Sequence, residues 1–223
     1  VDDTKIKKTG KNIPRTQYYL DPLSPSFHPN LMYGHRILQF SALLPLYKQI
    51  IPDLDNEELH YHVSRGIPVL VDNVPAVKKP GKHASLEELE EYNQLKNKNN
   101  LCLSFIDKVQ QLRKHYDAAG AKDKELLIVA DGSFCNSTVF KAALERTYIA
   151  ARCRVDAKLC LEDTSSSRRY FSREKFTPQA VRQDSRIKYQ KTKLYLGKKL
   201  RSVRYKEIDN VLWQRGAGRK KLR

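Results

Sequence analysis

Two aspartates beside strand-like segments are the residues of this 223-residue chain best suited to chemistry. The apolar run Leu126–Ala130 ends in Asp131, and Gly132 and a predicted helix start follow. A run this short and apolar predicts a strand buried on both faces, which puts Asp131 at the sheet edge where open α/β sheets bind ligands. The chain opens with Asp2 and Asp3 on a second strand pattern. Carboxylates converging from two strands predict a metal site.

Metal ions at such a site suit phosphodiester chemistry. Two divalent ions can activate the attacking oxygen and stabilise the leaving oxygen, and Mg²⁺ or Mn²⁺ would also offset the repulsion between Asp3 and Asp131. The alternative for Asp131 is a turn residue that accepts hydrogen bonds from amides around Ser133. The alternative for Asp2 and Asp3 is an acidic chain terminus. The sequence alone leaves these alternatives open.

Positive charge is concentrated in the last quarter of the chain. The formal net charge is +17, and residues 164–223 hold 19 Lys and Arg against four Asp and Glu. A stretch this one-sided either stays solvated or lies against a polyanion, most commonly nucleic acid. The sequence has no apolar run of about 20 residues, no secretory signal pattern and no phosphate-binding glycine loop. A cytoplasmic protein without a membrane segment or nucleotide cofactor is expected.

Pattern analysis predicts an α/β core followed by a β-rich segment. Residues 1–153 form the predicted core and residues 154–223 the predicted basic insertion. The predicted core elements are strands over 34–46, 67–71 and 148–151, a helix over 84–119 with an interruption at 97–100, and a helix over 138–146. A basic hairpin is predicted over 5–11, turning at 9–11, and it is followed by an irregular loop at 18–30 and a polar connection at 52–64. Short strands are predicted at 157–161, 188–196, 200–208 and 211–213.

Several short motifs together resemble DDE transposases of bacterial insertion sequences. They occur in that family's order and span essentially the whole chain; they are residues 2–4, 8–11, 33–35, 129–136 and 152–159. The resemblance implies an RNase H-like fold, with a mixed sheet, flanking helices and a basic β-rich insertion. It also implies DNA cleavage and strand transfer, in which water and then a terminal 3′-hydroxyl attack phosphorus.

The resemblance also implies roles for individual acids. Asp3 maps to the family's first catalytic and metal-binding aspartate, because that acid directly precedes a threonine, and Asp2 is the weaker candidate. Asp131 maps to the second, and the intact enzyme would hold two Mg²⁺ or Mn²⁺ ions. The third acid is a glutamate on a helix after the insertion, whose signature Glu207 lacks. The chain is therefore expected to be part of a longer transposase and not to cleave DNA by itself.

DNA contacts are predicted along the basic segment. The partners implied by the resemblance are double-stranded DNA, as transposon ends and target, and a second copy of the protein in a homodimer on that DNA, within the bacterial nucleoid. The predicted DNA-binding residues are Arg152, Arg154, Lys158, Arg168, Arg169, Trp213 and Arg215. For Trp213, stacking on an unpaired base competes with an ordinary core position.

Two other functions fit the same residues. The first is a non-catalytic nucleic-acid-binding module in which the acids only cap turns. The second is another metal-dependent nuclease with the same core, such as a resolvase or an RNase H-type enzyme. The insertion after the second aspartate disfavours this second alternative.

Overall fold

The chain folds as a mixed α/β protein with two compact units. The computed structural model describes all residues except 11, 22, 26, 53–57, 76, 166–167 and 197–198, and it leaves out the side chains of 47–52, 58–63, 195, 196 and 199. The first unit contains residues 1–42, 66–134 and 142–151. The second unit contains residues 43–65, 135–141 and 152–223. None of the described helices is both long and apolar enough to cross a bilayer.

A four-stranded sheet begins the fold. Its strands are β1 (Asp2–Lys7), β2 (Gln17–Leu20), β3 (Leu31–Pro52) and β4 (Glu58–Asn73). The long strand β3 pairs with each of the other three. Asp3 lies opposite Leu38, and Lys7 lies opposite Gly34. The strands predicted over 34–46 and 67–71 are confirmed, and both extend beyond the predicted bounds.

Two helices follow, where the sequence predicted one interrupted helix. Ser85 caps α1 (Leu86–Lys98) in a capping box with Glu88. Asn100 caps α2 (Leu101–Ala118) by accepting from the amides of Cys102 and Leu103. Each cap satisfies amides that lack a partner within the helix, so the chain restarts a second helix after the break at Asn99. The interruption predicted at 97–100 is confirmed.

A parallel strand pair completes the first unit. β5 (Leu126–Ala130) pairs in parallel with β6 (Thr147–Ala151), as the apolar runs predicted. In sequence between them lie a single 3₁₀ turn, Gly132–Phe134, and the short helix α3 (Ser137–Lys141), which belongs to the second unit. Asn136 accepts from the Val139 amide at the start of α3. The helix ends at Lys141 and not at Arg146, which has a positive φ of 45°.

Arg113 ties the end of α2 to the start of this strand pair. Its guanidinium is buried and donates to Asp117, to the carbonyl of Ala121 at 2.8 Å and to that of Lys124 at 2.7 Å. Asp117 also pairs with Arg146 at 2.8 Å, and the Arg146 carbonyl accepts from Leu126. The network therefore fixes where β5 begins, and with it the position of Asp131 at the other end of the strand.

Aromatic stacking forms the core of the first unit. The ring of Phe105 on α2 lies 5.6 Å from Phe40 of β3 and 4.5 Å from Phe134, and all three side chains are buried. On β5 only the even-numbered face is buried, because Leu127 is 68% exposed and Val129 is 58% exposed. The prediction that this strand is buried on both faces is wrong: among the described residues, nothing covers its odd-numbered face.

The second unit carries the basic segment. It contains α4 (Pro178–Gln183), the hairpin of β7 (Gln190–Leu196) and β8 (Lys199–Tyr205), and the short pair of β9 (Val211–Leu212) and β10 (Lys221–Leu222). Cys160 forms a single bridge to Leu212. The strand predicted over 157–161 is thus reduced to isolated bridges. The β-rich character predicted for this segment is confirmed. The sequence did not predict the short helix α4 within it.

Other predicted local features differ from the structure. The segment predicted as a polar connection belongs in large part to β4, which begins at Glu58. Its residues 53–57 lie outside the described part of the chain, as do Lys11 of the predicted basic turn and Pro22 of the proline loop. The basic hairpin predicted over 5–11 also differs: Lys5 to Lys7 belong to β1, which pairs with β3 and not with the next strand along the chain.

Candidate functional site

Asp131 lies where β5 leaves the sheet. Its Oδ1 accepts from the Ser133 amide at 2.9 Å, and its Oδ2 lies 3.2 Å from the Ser133 hydroxyl. The side chain is exposed and holds the 3₁₀ turn that follows. These hydrogen bonds orient the carboxylate, and each of its oxygens keeps a second lone pair for another partner.

Asp3 forms a paired ion contact within the sheet. The Arg36 guanidinium donates through Nε at 2.9 Å and through Nη2 at 2.7 Å, and the Asp3 side chain is only 7% exposed. The hydrogen bonds to Asp3 raise the pKa of Arg36. Asp3 lies opposite Leu38, which is fully buried, so its side chain is on the covered face of the sheet. Asp3 is therefore already neutralised within the fold.

Asp2 lies on the opposite face of the same strand. Successive side chains of a strand alternate between the two faces, and Asp2 is opposite Gln39, one residue out of phase with Leu38. The Asp2 side chain is exposed and accepts a hydrogen bond from the Thr4 hydroxyl at 2.6 Å. Of the two N-terminal acids, Asp2 is thus the one whose carboxylate is open to solvent.

One hydrogen bond connects the first strand to β5. The N-terminal ammonium of Val1 donates to the Val129 carbonyl at 2.6 Å. Val1 precedes Asp2 by one residue, and Val129 precedes Asp131 by two. The beginning of β1 and the end of β5 therefore lie side by side, and the N-terminal acids and Asp131 are brought to one region of the first unit.

The predicted DNA-binding residues all lie in the second unit and all except Trp213 are exposed. Arg154 makes a paired contact with Asp156, at 2.9 and 2.7 Å, and this contact raises the pKa of Arg154. Arg152 and Lys158 flank this pair in sequence. Arg168 and Arg169 follow residues outside the described part of the chain. All seven residues lie outside the described helices and strands, so no single element presents them together.

Trp213 is packed inside the second unit. Its ring meets Phe140 edge to face at a centroid distance of 6.1 Å, and it covers Gly216 so closely that a Cβ there would lie 2.0 Å from the indole. The Trp213 carbonyl also accepts from Ala217 at 2.7 Å. The side chain is half-buried. These contacts give Trp213 a packing role, which is the alternative to base stacking.

Two thiols lie next to each other after the Asp131 turn. Burial and the neighbouring Cys153 thiol raise the pKa of Cys135 to about 11. A thiol with such a pKa holds very little thiolate at neutral pH, which makes it a poor nucleophile and a poor metal ligand without further help. All four cysteines are free thiols, and Cys160 is buried.

The described residues contain no group of three or more His, Cys, Asp or Glu side chains able to hold a metal ion. Glu207, the acid considered for the third position, pairs instead with Arg223, which lowers the pKa of Glu207. Among the described residues, the candidate site therefore rests on Asp131 and the N-terminal aspartates.

Comparisons with known proteins do not identify the chain. No protein-family model matches it, and neither the curated proteins nor the solved structures give a significant match. The resemblance to DDE transposases therefore stays a prediction from the sequence motifs.

Proposed function

We propose that this chain belongs to the catalytic region of a DNA transposase that cleaves and joins DNA strands with divalent metal ions held by Asp2 and Asp131. The observation that carries the proposal is the Val1 to Val129 hydrogen bond, which joins the two acid-bearing strands. We also propose an RNase H-like core. The order of three antiparallel strands, helices, and two parallel strands separated by a helix supports it.

The face on which each acid lies supports Asp2 as the partner of Asp131. Extending the β1–β3 register by one pair beyond Asp2 and Gln39 sets Val1 opposite Phe40, whose side chain is buried on the covered face of the sheet. The side chain of Ala130 is buried as well. A parallel ladder continued from the Val1 bond would set Val1 opposite Ala130 and Asp2 opposite Asp131. Neighbouring strands are about 4.8 Å apart, so two such carboxylates reach one cation.

Asp3 is the less suitable ligand, although the sequence motif favours it. Its carboxylate already accepts from Arg36 on the covered face of the sheet. Recruiting it to a metal would leave a half-buried guanidinium without its partner, which is costly. We therefore assign Asp3 a structural role and Asp2 the role of first acid.

The two aspartates fit a Mg²⁺ or Mn²⁺ ion. Mg²⁺ is commonly held by one or two carboxylates and keeps several waters, and both side chains are exposed. When bound, such ions supply charge stabilisation to the attacking and leaving oxygens of a phosphodiester. The chain contributes the orientation: Ser133 fixes the Asp131 carboxylate, and Thr4 fixes that of Asp2.

A specific observation also favours the non-catalytic alternative. The bonds from Asp131 to Ser133 are those of a residue that caps a turn, and a nucleic-acid-binding module would need nothing more. The two functions differ in whether removing Asp131 abolishes a response to metal.

A metal titration separates them. We expect Mn²⁺ to raise the melting temperature of the chain by a few degrees, since a ligand at ten times its Kd stabilises the native state by about 1.4 kcal/mol. Asp131→Ala and Asp2→Asn should each abolish this rise. Asp123→Asn, a change at an exposed carboxylate on the turn before β5, is the matched control and should respond like the unchanged protein. If Mn²⁺ does not change the melting temperature of the unchanged protein, the result supports the non-catalytic nucleic-acid-binding module.

A further inference from the structure

We infer that Cys135 and Cys153 form a site of reversible oxidation, at which hydrogen peroxide joins their two thiols as a disulfide within one chain. Both residues belong to the second unit. The inference goes beyond the proposed function and does not rest on it, because neither thiol is part of the candidate metal site and the oxidation uses no metal ion.

The parallel strand pair brings the two cysteines to one place. Ala130 at the end of β5 lies opposite Ala151 at the end of β6. The carboxyl ends of parallel strands lie at the same edge of a sheet, so the chain leaves β5 and β6 side by side. Cys153 follows the end of β6 by two residues, and Cys135 directly follows the 3₁₀ turn after β5.

The two thiols are in contact. The Cys135 side chain forms a hydrogen bond with that of Cys153, and both side chains are half-buried. Peroxide can therefore reach the sulfurs, and only a small movement separates this contact from an S–S bond of about 2.05 Å. The other cysteines have different surroundings: Cys102 is on α2 in the first unit, and Cys160 is buried with its Sγ 3.8 Å from the Leu212 carbonyl oxygen.

The surroundings of Cys135 decide which sulfur reacts first. Burial, and after it the neighbouring Cys153 thiol, raise the pKa of Cys135 from an ordinary value of 9.0 to about 11. The thiolate fraction at neutral pH falls by about a hundredfold, and the greater nucleophilicity of a more basic thiolate restores about tenfold of this loss. Cys135 therefore reacts roughly tenfold more slowly than an ordinary thiol, which assigns the first step to Cys153.

The oxidation proceeds in two steps. The Cys153 sulfur attacks one oxygen of hydrogen peroxide, the O–O bond breaks, and Cys153 becomes a sulfenic acid while the other oxygen leaves as water. The Cys135 sulfur then displaces the hydroxyl group from Cys153, the S–S bond forms, and the hydroxyl leaves as water with the Cys135 proton. The two thiols lose two electrons in total, and peroxide is reduced to two water molecules.

The disulfide would restrict the segment that follows Asp131. Cys135 comes directly after the 3₁₀ turn that Asp131 holds through the Ser133 amide. Bonding it to Cys153 closes a loop of residues 135–153, which contains α3 and β6. A cross-link of this kind removes conformational freedom from the chain. Exchange with a dithiol such as dithiothreitol restores both thiols and opens the loop.

Peptide mapping of the oxidised protein tests the inference. The reduced chain is treated with hydrogen peroxide at low protein concentration, its remaining thiols are alkylated, and its peptides are identified by mass spectrometry. We expect two of the four thiols to be lost, with a peptide pair joined through Cys135 and Cys153. Dithiothreitol should restore all four. Cys135 and Cys153 remaining as thiols, or a covalent dimer on a non-reducing gel in place of the internal disulfide, would overturn the inference.

Two variants test the order of the steps, and a third is the matched control. In C135S, Cys153 should accumulate as a sulfenic acid that dimedone labels. In C153S, dimedone should label Cys135 several times more slowly, because the burial of Cys135 remains. C102S changes a half-buried thiol on α2 and should form the disulfide at the rate of the unchanged protein. Faster labelling of Cys135 than of Cys153, or loss of the disulfide in C102S, would contradict the inference. The mapping of the unchanged protein does not depend on how the variants fold.

Discussion

Asp3→Asn is expected to destabilise the chain while leaving its response to Mn²⁺ intact. The change removes the charge that Arg36 pairs with, and the Asp3 side chain is only 7% exposed. Hydrogen bonds to a charged group contribute about 1.5–3 kcal/mol, so the free energy of unfolding should fall by about that amount. The melting temperature should fall by several degrees. Thermal melts with and without Mn²⁺ measure both quantities on the same samples.

The matched control is the same substitution one residue earlier. Asp2→Asn alters an exposed side chain on the other face of β1, so it should leave stability nearly unchanged and abolish the Mn²⁺ response. The pair of variants thus separates a structural acid from a ligand. If Asp3→Asn instead abolished the Mn²⁺ response and Asp2→Asn retained it, the sequence motif would be right and the assignment to Asp2 wrong.

Gly34→Ala is expected to be the most destabilising single substitution discussed for this chain. Gly34 lies opposite Lys7, and a Cβ at this position would stand 2.1 Å from the Ile6 carbonyl oxygen and 2.9 Å from the Ile6 carbonyl carbon. Both are backbone atoms of β1, so no side chain can move aside. The strands would have to separate next to the segment that carries the N-terminal acids. We expect a loss of about 3 kcal/mol or more, measured by urea denaturation.

Gly81→Ala is the control for that experiment. A Cβ at Gly81 would meet no atom within 4 Å, and the same chemical change there should alter stability by no more than about 0.5 kcal/mol. A Gly34→Ala protein as stable as the Gly81→Ala protein would mean that β1 and β3 do not approach as closely as described.

Local signals in the sequence predicted the elements that depend on local chemistry. The helical spacing of the apolar residues predicted helical structure over 84–119, and the interruption predicted at 97–100 coincides with the cap that Asn100 provides for α2. The run Leu126–Ala130 was predicted as a strand because it is short, apolar and followed directly by turn residues. These features require only residues that are neighbours in sequence.

Features that depend on distant pairing could not be predicted. Whether Asp2 or Asp3 faces the covered side is decided by the register of β1 against β3, and a shift of one residue would exchange the two acids. The exposure of Leu127 and Val129 likewise depends on what packs over β5, which the apolar run does not encode. The motif favoured Asp3, and the contact with Arg36 was not visible from spacing.

The basic segment shows the same division. Its charge is plain from the composition, but the DNA-binding residues predicted from the sequence lie outside the described helices and strands. That Lys191 lies opposite Arg204 depends on the register of β7 against β8, which the charge pattern does not encode.

Locating Mn²⁺ by its anomalous scattering in crystals of this chain tests the central claim most directly. The proposed site predicts a peak within coordination distance of carboxylate oxygens of both Asp2 and Asp131, with Asp3 still bound to Arg36. A peak coordinated by Asp3, or an ordered crystal at saturating Mn²⁺ with no peak beside Asp131, would contradict it.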